Sequence, residues 1–332
     1  MRTLLFIVSL FAGVVVATAQ PVRVVAFYNL ENLMDAEDDP LTQDDDMLPN
    51  ADREWNAERY AHKLKSISRV VADMALKYDY PVLLGVAEVE NGSVMQALAS
   101  QISAEGANYS FIHYDSPDER GIDVALLYRP EYFAVERSRS IKADVEMPTR
   151  DHLLVWGRLC GEPVLVTVVH FPSRIGGKEF TSARRERCAS QIREIVDSVR
   201  HAEPDRRVII MGDMTDTPRD CSVRSSLGAG WRKDGELYNP FYRANGRGTM
   251  VYQDRWWMYD QIILSSDFLA ANRLSLAQLR GYYGFIFKQP YLLDARGYPL
   301  PTYLSTQYQG GVSDHLPIYV LLRENGESVV SE

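Results

Sequence analysis

Hydrophobic positions along the chain follow two periodicities, and each predicts a different kind of element. Short apolar runs, some alternating with polar residues, are typical of β-strands, whereas apolar residues spaced three and four apart indicate amphipathic helices. The predicted strands cover residues 22–28, 81–86, 123–128, 131–137, 153–158, 164–170, 208–211, 260–265 and 316–322. The predicted helices cover residues 58–77, 94–103 and 182–201. Because strands outnumber helices and are spread through the chain, the pattern predicts one α+β domain of packed sheets with helices outside.

Polar residues follow many of the predicted strands directly. The clearest case is the apolar run Val208 to Met211, which ends in Gly212 and Asp213, with Asp216 close behind. Carboxylates at the end of a buried strand are costly unless a divalent cation, a protonated histidine or a substrate proton compensates their charge. A polar turn with an Asx cap would explain any single strand end. Asn29, Glu88 and His170 end further apolar runs in the same way, and the polar segments Asp260-Gln261 and Asp314-His315 come later in the chain. So many polar strand ends favour a functional site.

The first residues have the pattern of a signal peptide. A short basic end is followed by the apolar run Leu4 to Val16 and by Ala17-Thr18-Ala19, the small-x-small pattern of a cleavage site. The run is short for a membrane span, and an uncleaved anchor is the alternative. The sequence predicts a signal peptide over residues 1–20, a globular domain over 21–325 and a polar tail over 326–332. We therefore expect a secreted or periplasmic protein with no stable membrane span after signal cleavage.

The bulk charge argues against one class of protein. The 332-residue chain has a formal net charge of −9 and a sequence pI of about 5.3, which does not suit a protein that coats nucleic acid through bulk electrostatics. An enzyme that binds one phosphodiester locally remains compatible, because a metal ion can supply the positive charge. The three cysteines, Cys160, Cys188 and Cys221, are too few for a disulfide framework. The sequence leaves open whether two of them form one bridge.

The order of the polar segments resembles that of the endonuclease/exonuclease/phosphatase superfamily, the DNase I-like phosphodiesterases. It runs Asn29, Glu88, Arg120-Gly121-Ile122-Asp123, His170, Gly212-Asp213, Asp260-Gln261 and Ser313-Asp314-His315. The set is specific, although each piece alone is weak, and the resemblance covers residues 22–322, nearly all of the predicted mature chain. The resemblance implies a four-layer α/β/β/α sandwich of two mixed sheets with outer helices. It also implies cleavage of a phosphoester by water with Mg²⁺, or with Mn²⁺ or Ca²⁺ in its place.

The resemblance suggests which residues hold the metal. Glu88 would be a metal ligand, Asp314 would complete or support the metal site, and Asn29 would orient the metal or Glu88 beside the phosphate. Oxygen-bearing side chains suit this role because Mg²⁺ prefers oxygen ligands and keeps several waters. Phosphodiester hydrolysis also needs an activated water and charge stabilisation on the phosphoryl oxygens.

The remaining matches would act on the water and the phosphate. Asp213 would bind the water and deprotonate or position it. His315, oriented by Asp260, would contact the scissile phosphate or handle the water, since a carboxylate fixes the tautomer of an imidazole and raises its pKa. His170 would lie beside the leaving group, with the carboxylate of Asp123 behind it.

One position departs from the family pattern. The family turn reads Gly-Asp-x-Asn, but Thr215 occupies the Asn position here, where we expect a contact with water and phosphate. The threonine hydroxyl can donate one hydrogen bond, although it reaches less far than an amide. Three outcomes are open: a slower enzyme, a substrate that needs less support at this point, or rescue by Asp216 or a water molecule.

Basic and aromatic residues near these segments have two interpretations. A cluster of basic side chains follows His170 and comprises Arg174, Lys178, Arg184, Arg185 and Arg187. These side chains could contact substrate phosphates, Arg174 first among them, or form the solvated face of the next helix. An aromatic group, Trp256, Trp257 and Tyr259, precedes Asp260. Packing is favoured for these aromatics over stacking on a base.

The sequence therefore predicts a secreted, divalent-metal-dependent phosphodiesterase that hydrolyses a phosphoester with activated water. An endonuclease with DNA as its substrate and partner is the favoured activity. A phosphoesterase of the same family that acts on a lipid or sugar phosphate is the first alternative. A catalytically weakened binding protein that keeps the scaffold is the second alternative, and Thr215 is its only support.

Overall fold

The computed structural model describes residues 21–325, so the predicted signal peptide at 1–20 and the polar tail at 326–332 lie outside the described residues. The strands are β1 (Val22–Leu33), β2 (Leu83–Val89), β3 (Ser110–His113), β4 (Asp123–Tyr128), β5 (Phe133–Ile141), β6 (His152–Leu159), β7 (Glu162–His170), β8 (Arg207–Asp213), β9 (Ala229–Gly230), β10 (Leu237–Tyr238), β11 (Met250–Tyr252), β12 (Arg255–Trp257), β13 (Asp260–Ser265), β14 (Leu274–Leu276), β15 (Gly284–Ile286), β16 (Tyr303–Leu304), β17 (Gln307–Tyr308) and β18 (Ile318–Glu324). The α-helices are α1 (Ala57–Ala75), α2 (Gly92–Ala104) and α3 (Lys178–Ala202). Short 3-10 turns lie at Asp45–Met47, Pro240–Arg243, Ser266–Leu269 and Pro290–Leu292, and a π-helical turn lies at Ser222–Ser226.

Most strands belong to two mixed, seven-stranded sheets. The first sheet has the order β14-β18-β1-β2-β4-β3, and β15 also pairs with β18. The second sheet has the order β5-β6-β7-β8-β13-β10-β9. The central pairs β1–β2 and β7–β8 are parallel, and the long strands beside them are antiparallel. The hairpins β11–β12 and β16–β17 form separate two-stranded ribbons.

The two sheets pack face to face, and helices cover their outer faces. Alternate residues of β1 show this arrangement, because successive strand side chains point to opposite faces. Val25 and Phe27 lie in the core between the sheets, whereas Val24 and Ala26 lie in the core under α1 and α2. On the second sheet, α3 packs its apolar stripe, including Ile192, against the outer face. The predicted four-layer α/β/β/α sandwich is confirmed.

The predicted elements are present, with shifts at their ends. β5 begins at Phe133 rather than at residue 131, and β18 begins at Ile318 rather than at residue 316. β8 continues past its apolar run through Asp213. Strand pairing, and not a loop, therefore holds this carboxylate in place.

The three cysteines are free, so the structure does not form the disulfide bridge that the sequence left open. Cys188, on the buried face of α3, is buried and Cys221 is exposed. Within residues 21–325, no helix has the length and apolar character needed to cross a membrane.

Candidate active site

Three of the predicted catalytic residues lie side by side on neighbouring strands of the second sheet. The parallel register of β7 and β8 places His170 opposite Asp213, and the antiparallel register of β8 and β13 places Asp260 opposite the same residue. Gly212 permits this close packing, because a Cβ there would lie 1.9 Å from the carbonyl oxygen of Val169. The strand register therefore brings these three side chains together.

The first sheet contributes Asn29 and Glu88. Asn29 lies in β1, and Glu88 lies in a bulge of β2, where the register against β4 shifts between Ala87 and Val89. The φ angle of Glu88 is 61°, a left-handed conformation that is uncommon for a non-glycine residue. A bulge of this kind re-aims one side chain. Here it brings Oε1 of Glu88 within 3.4 Å of Nδ2 of Asn29.

Asn29 joins the two sheets and the loop before β18. Its Nδ2 also donates to Oδ2 of Asp213 at 3.1 Å, and its carbonyl oxygen accepts from the hydroxyl of Ser313 at 2.7 Å. The oxygen of that hydroxyl accepts from the backbone N–H of His315 at 3.0 Å. Nδ1 of His315 in turn contacts Oδ2 of Asp260 at 2.7 Å. A continuous set of hydrogen bonds thus connects both sheets.

The contacts of His315 and Asp213 set their charges. Burial lowers the pKa of His315, but the carboxylates of Asp260, Asp314 and Asp213 outweigh burial and raise that pKa well above its ordinary value. His315 is therefore protonated at neutral pH. Burial, reinforced by the charge of Asp260, raises the pKa of Asp213 to about 6. This carboxyl group is mostly ionised at neutral pH and close to its point of protonation.

His170 has the opposite electrostatic character. Burial and the positive charges of Arg150 and Arg120 lower the pKa of His170 well below its ordinary value, so its imidazole is neutral. Its Nε2 lies 3.8 Å from Oδ2 of Asp213 and 3.9 Å from Oε1 of Glu88. One neutral and one protonated histidine therefore face the carboxylate of Asp213.

Asp123 does not lie behind His170, and this expectation from the resemblance is corrected. The carboxylate of Asp123 contacts Nε2 of His113 at 2.9 Å and accepts from the N–H of Ser116 at 2.9 Å. Nδ1 of His170 has no hydrogen-bond partner among residues 21–325. The reason is local, because the pairing of β3 with β4 places His113 opposite Ala125, within reach of Asp123.

The carboxylates around Glu88 fit a divalent cation. Burial raises the pKa of Asp314, with the charge of Glu88 adding to the effect and that of His315 opposing it. Burial and the charge of Asp314 raise the pKa of Glu31 to about 7. Such repulsion among carboxylates is relieved when a hard cation binds their oxygens. The chemistry of this donor set therefore suits Mg²⁺ at Glu88 and Asp314, the two predicted ligands.

A second group of potential ligands is better explained by hydrogen bonding. One ligand atom each of Asp213, Asp260 and His315 lies within 4.8 Å of the others. The 2.7 Å contact with Asp260 already uses Nδ1 of His315, and the imidazole is protonated. These three residues therefore suit proton transfer rather than metal binding.

Two residues that support the predicted metal ligands received no clear signal from the sequence. Lys63 of α1 is 1% exposed, and its Nζ donates to the carbonyl oxygen of Glu31 at 2.5 Å and to the hydroxyl of Thr302 at 2.6 Å. Oε2 of Glu31 accepts from the backbone N–H groups of Thr302 and Asp314. Lys63 and Glu31 therefore hold the loop that carries Asp314. Their contacts join segments 32 and 239 residues apart, so no local pattern marks them.

Thr215 has a strained backbone and a hydroxyl that is used internally. Its φ angle is 51°, which is a genuine outlier for a β-branched residue. Its backbone N–H donates to Oδ1 of Asp213 at 2.7 Å, and its hydroxyl donates to the carbonyl oxygen of Phe171 at 3.0 Å. Thr215 thus supports the end of β8 and orients Asp213.

Asp216 does not replace the missing amide at position 215. Its carboxylate lies 2.9 Å from Nε of Arg185 and 2.5 Å from Nη2 of Arg174, and it accepts from the hydroxyl of Ser222 at 2.7 Å. Rescue by Asp216 is therefore not supported. Nη2 of Arg174 also pairs with Asp220 at 2.9 Å. Nη2 of Arg174 is thus already used by two carboxylates. The predicted contact of Arg174 with a phosphate would involve its other guanidinium nitrogens.

We expect Thr215→Asn to be more stable than Thr215→Val. Asparagine is several-fold enriched in left-handed backbone, and the strain of such a position costs about 1–3 kcal/mol. Valine keeps the β-branch and loses the hydroxyl bond, worth about 1 kcal/mol, although Arg150 still donates to the carbonyl oxygen of Phe171. Urea unfolding should give the Asn variant the higher free energy of unfolding by about 1–2 kcal/mol. Equal values for the two variants would contradict strain at Thr215.

Known proteins provide two kinds of similarity. A model of the Endonuclease/Exonuclease/phosphatase family matches residues 24–324 of the sequence. D. rerio TDP2 complexed with single-strand DNA product has a similar structure, with a TM-score of 0.57 and 16% identity over 91% of this chain and 99% of that one. An endonuclease/exonuclease/phosphatase from Bacteroides vulgatus has a TM-score of 0.56 and 13% identity over 92% and 100% of the two chains. The Bacteroides thetaiotaomicron mannosyl-6-phosphatase has a TM-score of 0.56 and 16% identity over 90% and 99%.

At these identities the structural similarity shows the fold alone. No curated protein matches the sequence.

Proposed function

The chain belongs to the endonuclease/exonuclease/phosphatase family, whose members hydrolyse phosphoesters, and we propose that it is a divalent-metal-dependent phosphodiesterase acting on DNA. One observation carries the proposal: three side-chain nitrogens surround Oδ2 of Asp213. They are Nδ2 of Asn29 at 3.1 Å, Nε2 of His315 at 3.7 Å and Nε2 of His170 at 3.8 Å. A buried carboxylate oxygen among such groups suits proton transfer from a water molecule beside a phosphate.

The proposed role of each residue follows from its charge. Asp213 accepts a proton from the attacking water, because its pKa of about 6 leaves it ionised at neutral pH and still basic. The protonated His315 donates through Nε2 to a phosphoryl oxygen, where negative charge develops. Asp260 holds Nδ1 of His315 and so orients that donor. The neutral His170, near Glu88, is the hydrogen-bonding group for the leaving oxygen.

Glu88 and Asp314 would hold the divalent cation, with Asn29 orienting Glu88. When bound, the cation would stabilise the charge on the phosphoryl and leaving oxygens. Mg²⁺ is the first candidate because the donors are carboxylate and amide oxygens, and Mn²⁺ or Ca²⁺ are the alternatives.

DNA is favoured over a sugar phosphate by the side chains beyond the catalytic residues. The fold is compatible with both, since one similar structure holds a single-strand DNA product and another is a mannosyl-6-phosphatase. Beside Asp216, the guanidinium of Arg174 lies 4.8 Å from the ring centroid of Tyr259 and 5.2 Å from that of Trp257. Tyr259 is buried, whereas Arg174 and Trp257 are partly exposed, and a cation beside an aromatic ring is typical of proteins that bind single strands.

Cleavage assays with metal removal test the proposal. The purified protein should nick plasmid DNA with Mg²⁺, lose this activity on addition of EDTA and regain it with excess Mg²⁺. Its rates on DNA should exceed those on sphingomyelin, inositol phosphates and mannose 6-phosphate. Faster turnover of a lipid or sugar phosphate would favour that alternative, and calorimetric binding without turnover would favour the weakened binding protein. If no phosphoester is cleaved with Mg²⁺, Mn²⁺ or Ca²⁺, the enzymatic proposal fails.

We also propose that the protein is secreted or periplasmic, on the strength of the signal-peptide pattern of residues 1–20 alone. Sequencing of the exported protein should find its first residue near Gln20 or Pro21. A chain that still begins at Met1 outside the cytoplasm would contradict cleavage at this site.

A further inference from the structure

A cavity of about 530 Å³ lies beside the catalytic residues. Its wall includes Leu316, which follows His315 directly, and Gly248, which precedes Thr249. The N–H of Leu316 donates to the carbonyl oxygen of Thr249 at 2.8 Å, and Met250 forms a β-bridge with His315. The cavity therefore lies next to the chain segment that carries His315, the histidine that is proposed to contact the phosphate.

Two aromatic rings form one corner of the cavity. The ring centroids of Trp256 and Tyr298 lie 5.8 Å apart, and the ring planes meet at 87°. Because neighbouring strand residues point to opposite faces, Trp256 lines the cavity while Trp257 stacks with Tyr259 at a centroid distance of 5.7 Å. The corner offers a ring face to a planar group that enters the cavity.

The cavity carries a positive charge although the chain is acidic. Arg247, Lys288 and Arg296 line it together with a single carboxylate, Asp254. The guanidinium of Arg296 forms ion pairs with Asp254 and with Asp294. Arg247 and Lys288 are exposed, and the part of the chain that the structure describes offers neither of them an ion pair. Nζ of Lys288 lies 5.3 Å from the ring centroid of Trp256, so this cation lies next to the aromatic corner.

A glycine-rich loop holds one of these cations at the rim. A Cβ at Gly246 would lie 2.5 Å from Cδ1 of Ile286, and a Cβ at Gly248 would lie 2.4 Å from the carbonyl oxygen of Trp257. The backbone contact leaves no room for a side chain at Gly248, and the φ of 148° at Gly246 favours glycine. Arg247 lies between these two glycines, so the loop packs tightly on both sides of it.

We propose that this cavity is a substrate subsite for the nucleotide next to the scissile phosphate of single-stranded DNA. The base would stack on the face of Trp256, with Tyr298 as a perpendicular side wall, and the phosphate of that nucleotide would contact Arg247 and Lys288. The inference rests on the proposed phosphodiesterase function. Stacking surfaces beside cations bind single strands, and the cavity volume suits a ligand of nucleotide size. A sugar monophosphate has no second phosphate and would leave both cations without a partner.

Kinetics on short substrates test the subsite. Arg247→Ala combined with Lys288→Ala, and separately Trp256→Leu, should raise KM for the trinucleotide d(TpTpT) about tenfold. Bis(p-nitrophenyl) phosphate has no nucleotide, so its kcat/KM should stay within about twofold. The double variant should also lower the salt slope of log KM by about 0.7, since both cations contact one phosphate and each single-strand phosphate contact contributes about 0.7. Lys77→Ala is the matched control, because Lys77 lies over the ring of Tyr78 just after α1. This variant should leave the kinetic constants for both substrates unchanged.

The outcomes separate the subsite from the catalytic proposal. Equal losses on both substrates, no loss on d(TpTpT), or a loss on mannose 6-phosphate alone would overturn the subsite. Anisotropy of a fluorescein-labelled oligothymidylate in EDTA measures binding without cleavage. If the wild type cleaves nothing but binds this strand, and the variants bind it about tenfold more weakly, the catalytic proposal fails and the subsite stands. If the wild type cleaves phosphoesters but does not bind the strand, the subsite fails alone.

Discussion

Asp213→Asn should lower kcat/KM for DNA cleavage by about 10³-fold or more, within the range expected for loss of a general base. The amide has nearly the shape of the carboxylate but cannot accept the proton of the attacking water. The fold should remain intact, because the variant removes a buried charge and can keep a hydrogen bond to the N–H of Thr215. Initial rates on a phosphodiester and urea unfolding of the same samples measure both effects. Activity within about tenfold of the wild type would remove Asp213 from the proton-accepting role.

The pH profile gives an independent readout of the same group. A carboxyl group cannot accept a proton while it is protonated, so activity should fall as the pH drops through the pKa of Asp213, which is about 6. Below that point kcat/KM should decline about tenfold per pH unit, and Asp213→Asn should lack this acidic limb. Asp220→Asn is the matched control, because Asp220 pairs with Arg174 and Lys178 and is not near Asn29 or the histidines. A flat wild-type profile down to about pH 5 would contradict the assignment.

Arg185→Leu should lower the free energy of unfolding by about 3–5 kcal/mol, the usual cost of breaking a buried ion pair by removing one partner. Arg185 lies on the inner face of α3 and is fully buried. Its Nε lies 2.9 Å from Oδ2 of Asp216, and its Nη1 donates to the hydroxyl of Thr181 at 2.8 Å. Leucine would leave Asp216 with Arg174 as its remaining charged partner. Urea unfolding at neutral pH measures the loss.

Arg187→Leu is the control for this stability prediction. Arg187 lies on the same helix but is exposed, and its ion pairs with Asp144 and Glu194 are at the surface. Such pairs contribute about 0–1 kcal/mol, so the free energy of unfolding of this variant should be close to that of the wild type. Combining Arg185→Leu with Asp216→Leu should recover part of the loss, because no buried charge remains unpaired. Similar unfolding of the Arg185 and Arg187 variants would contradict a structural role for the buried pair.

The carboxylates of Asp213 and Asp216 illustrate how far the sequence predicts the site. The sequence places Asp213 and Asp216 in one turn and separates them only through the family resemblance. In the structure Asp213 faces Asn29 and two histidines, whereas Asp216 is held by Arg185 and Arg174. The basic cluster after His170 therefore divides, since Arg185 is internal and Arg187 is at the surface. Helical spacing alone could not separate them, because a buried arginine is recognised by its partner and not by its neighbours in sequence.

Local patterns were sufficient for the layers of the fold. The alternating, β-branched pattern of residues 22–28 predicted a strand, and the apolar stripe of α3 predicted an outer helix. Both are confirmed. The end of β8 was harder to predict, because polar residues at the end of an apolar run are compatible with a strand or with a turn. Its pairing with β7 and β13 extends the strand through Asp213.

The sequence by itself determined the α+β class, most of the long strands, and the polar residues near their ends, since these depend on periodicity and on the cost of burying charge locally. Only the tertiary structure decided which partner each polar residue has. It places Asp123 against His113 instead of His170, buries Lys63 behind Glu31, and assembles a cationic, aromatic cavity from segments around Arg247, Trp256 and Lys288. Register and long-range contacts depend on how the whole sandwich packs, so residues far apart in the chain become neighbours without any local signal.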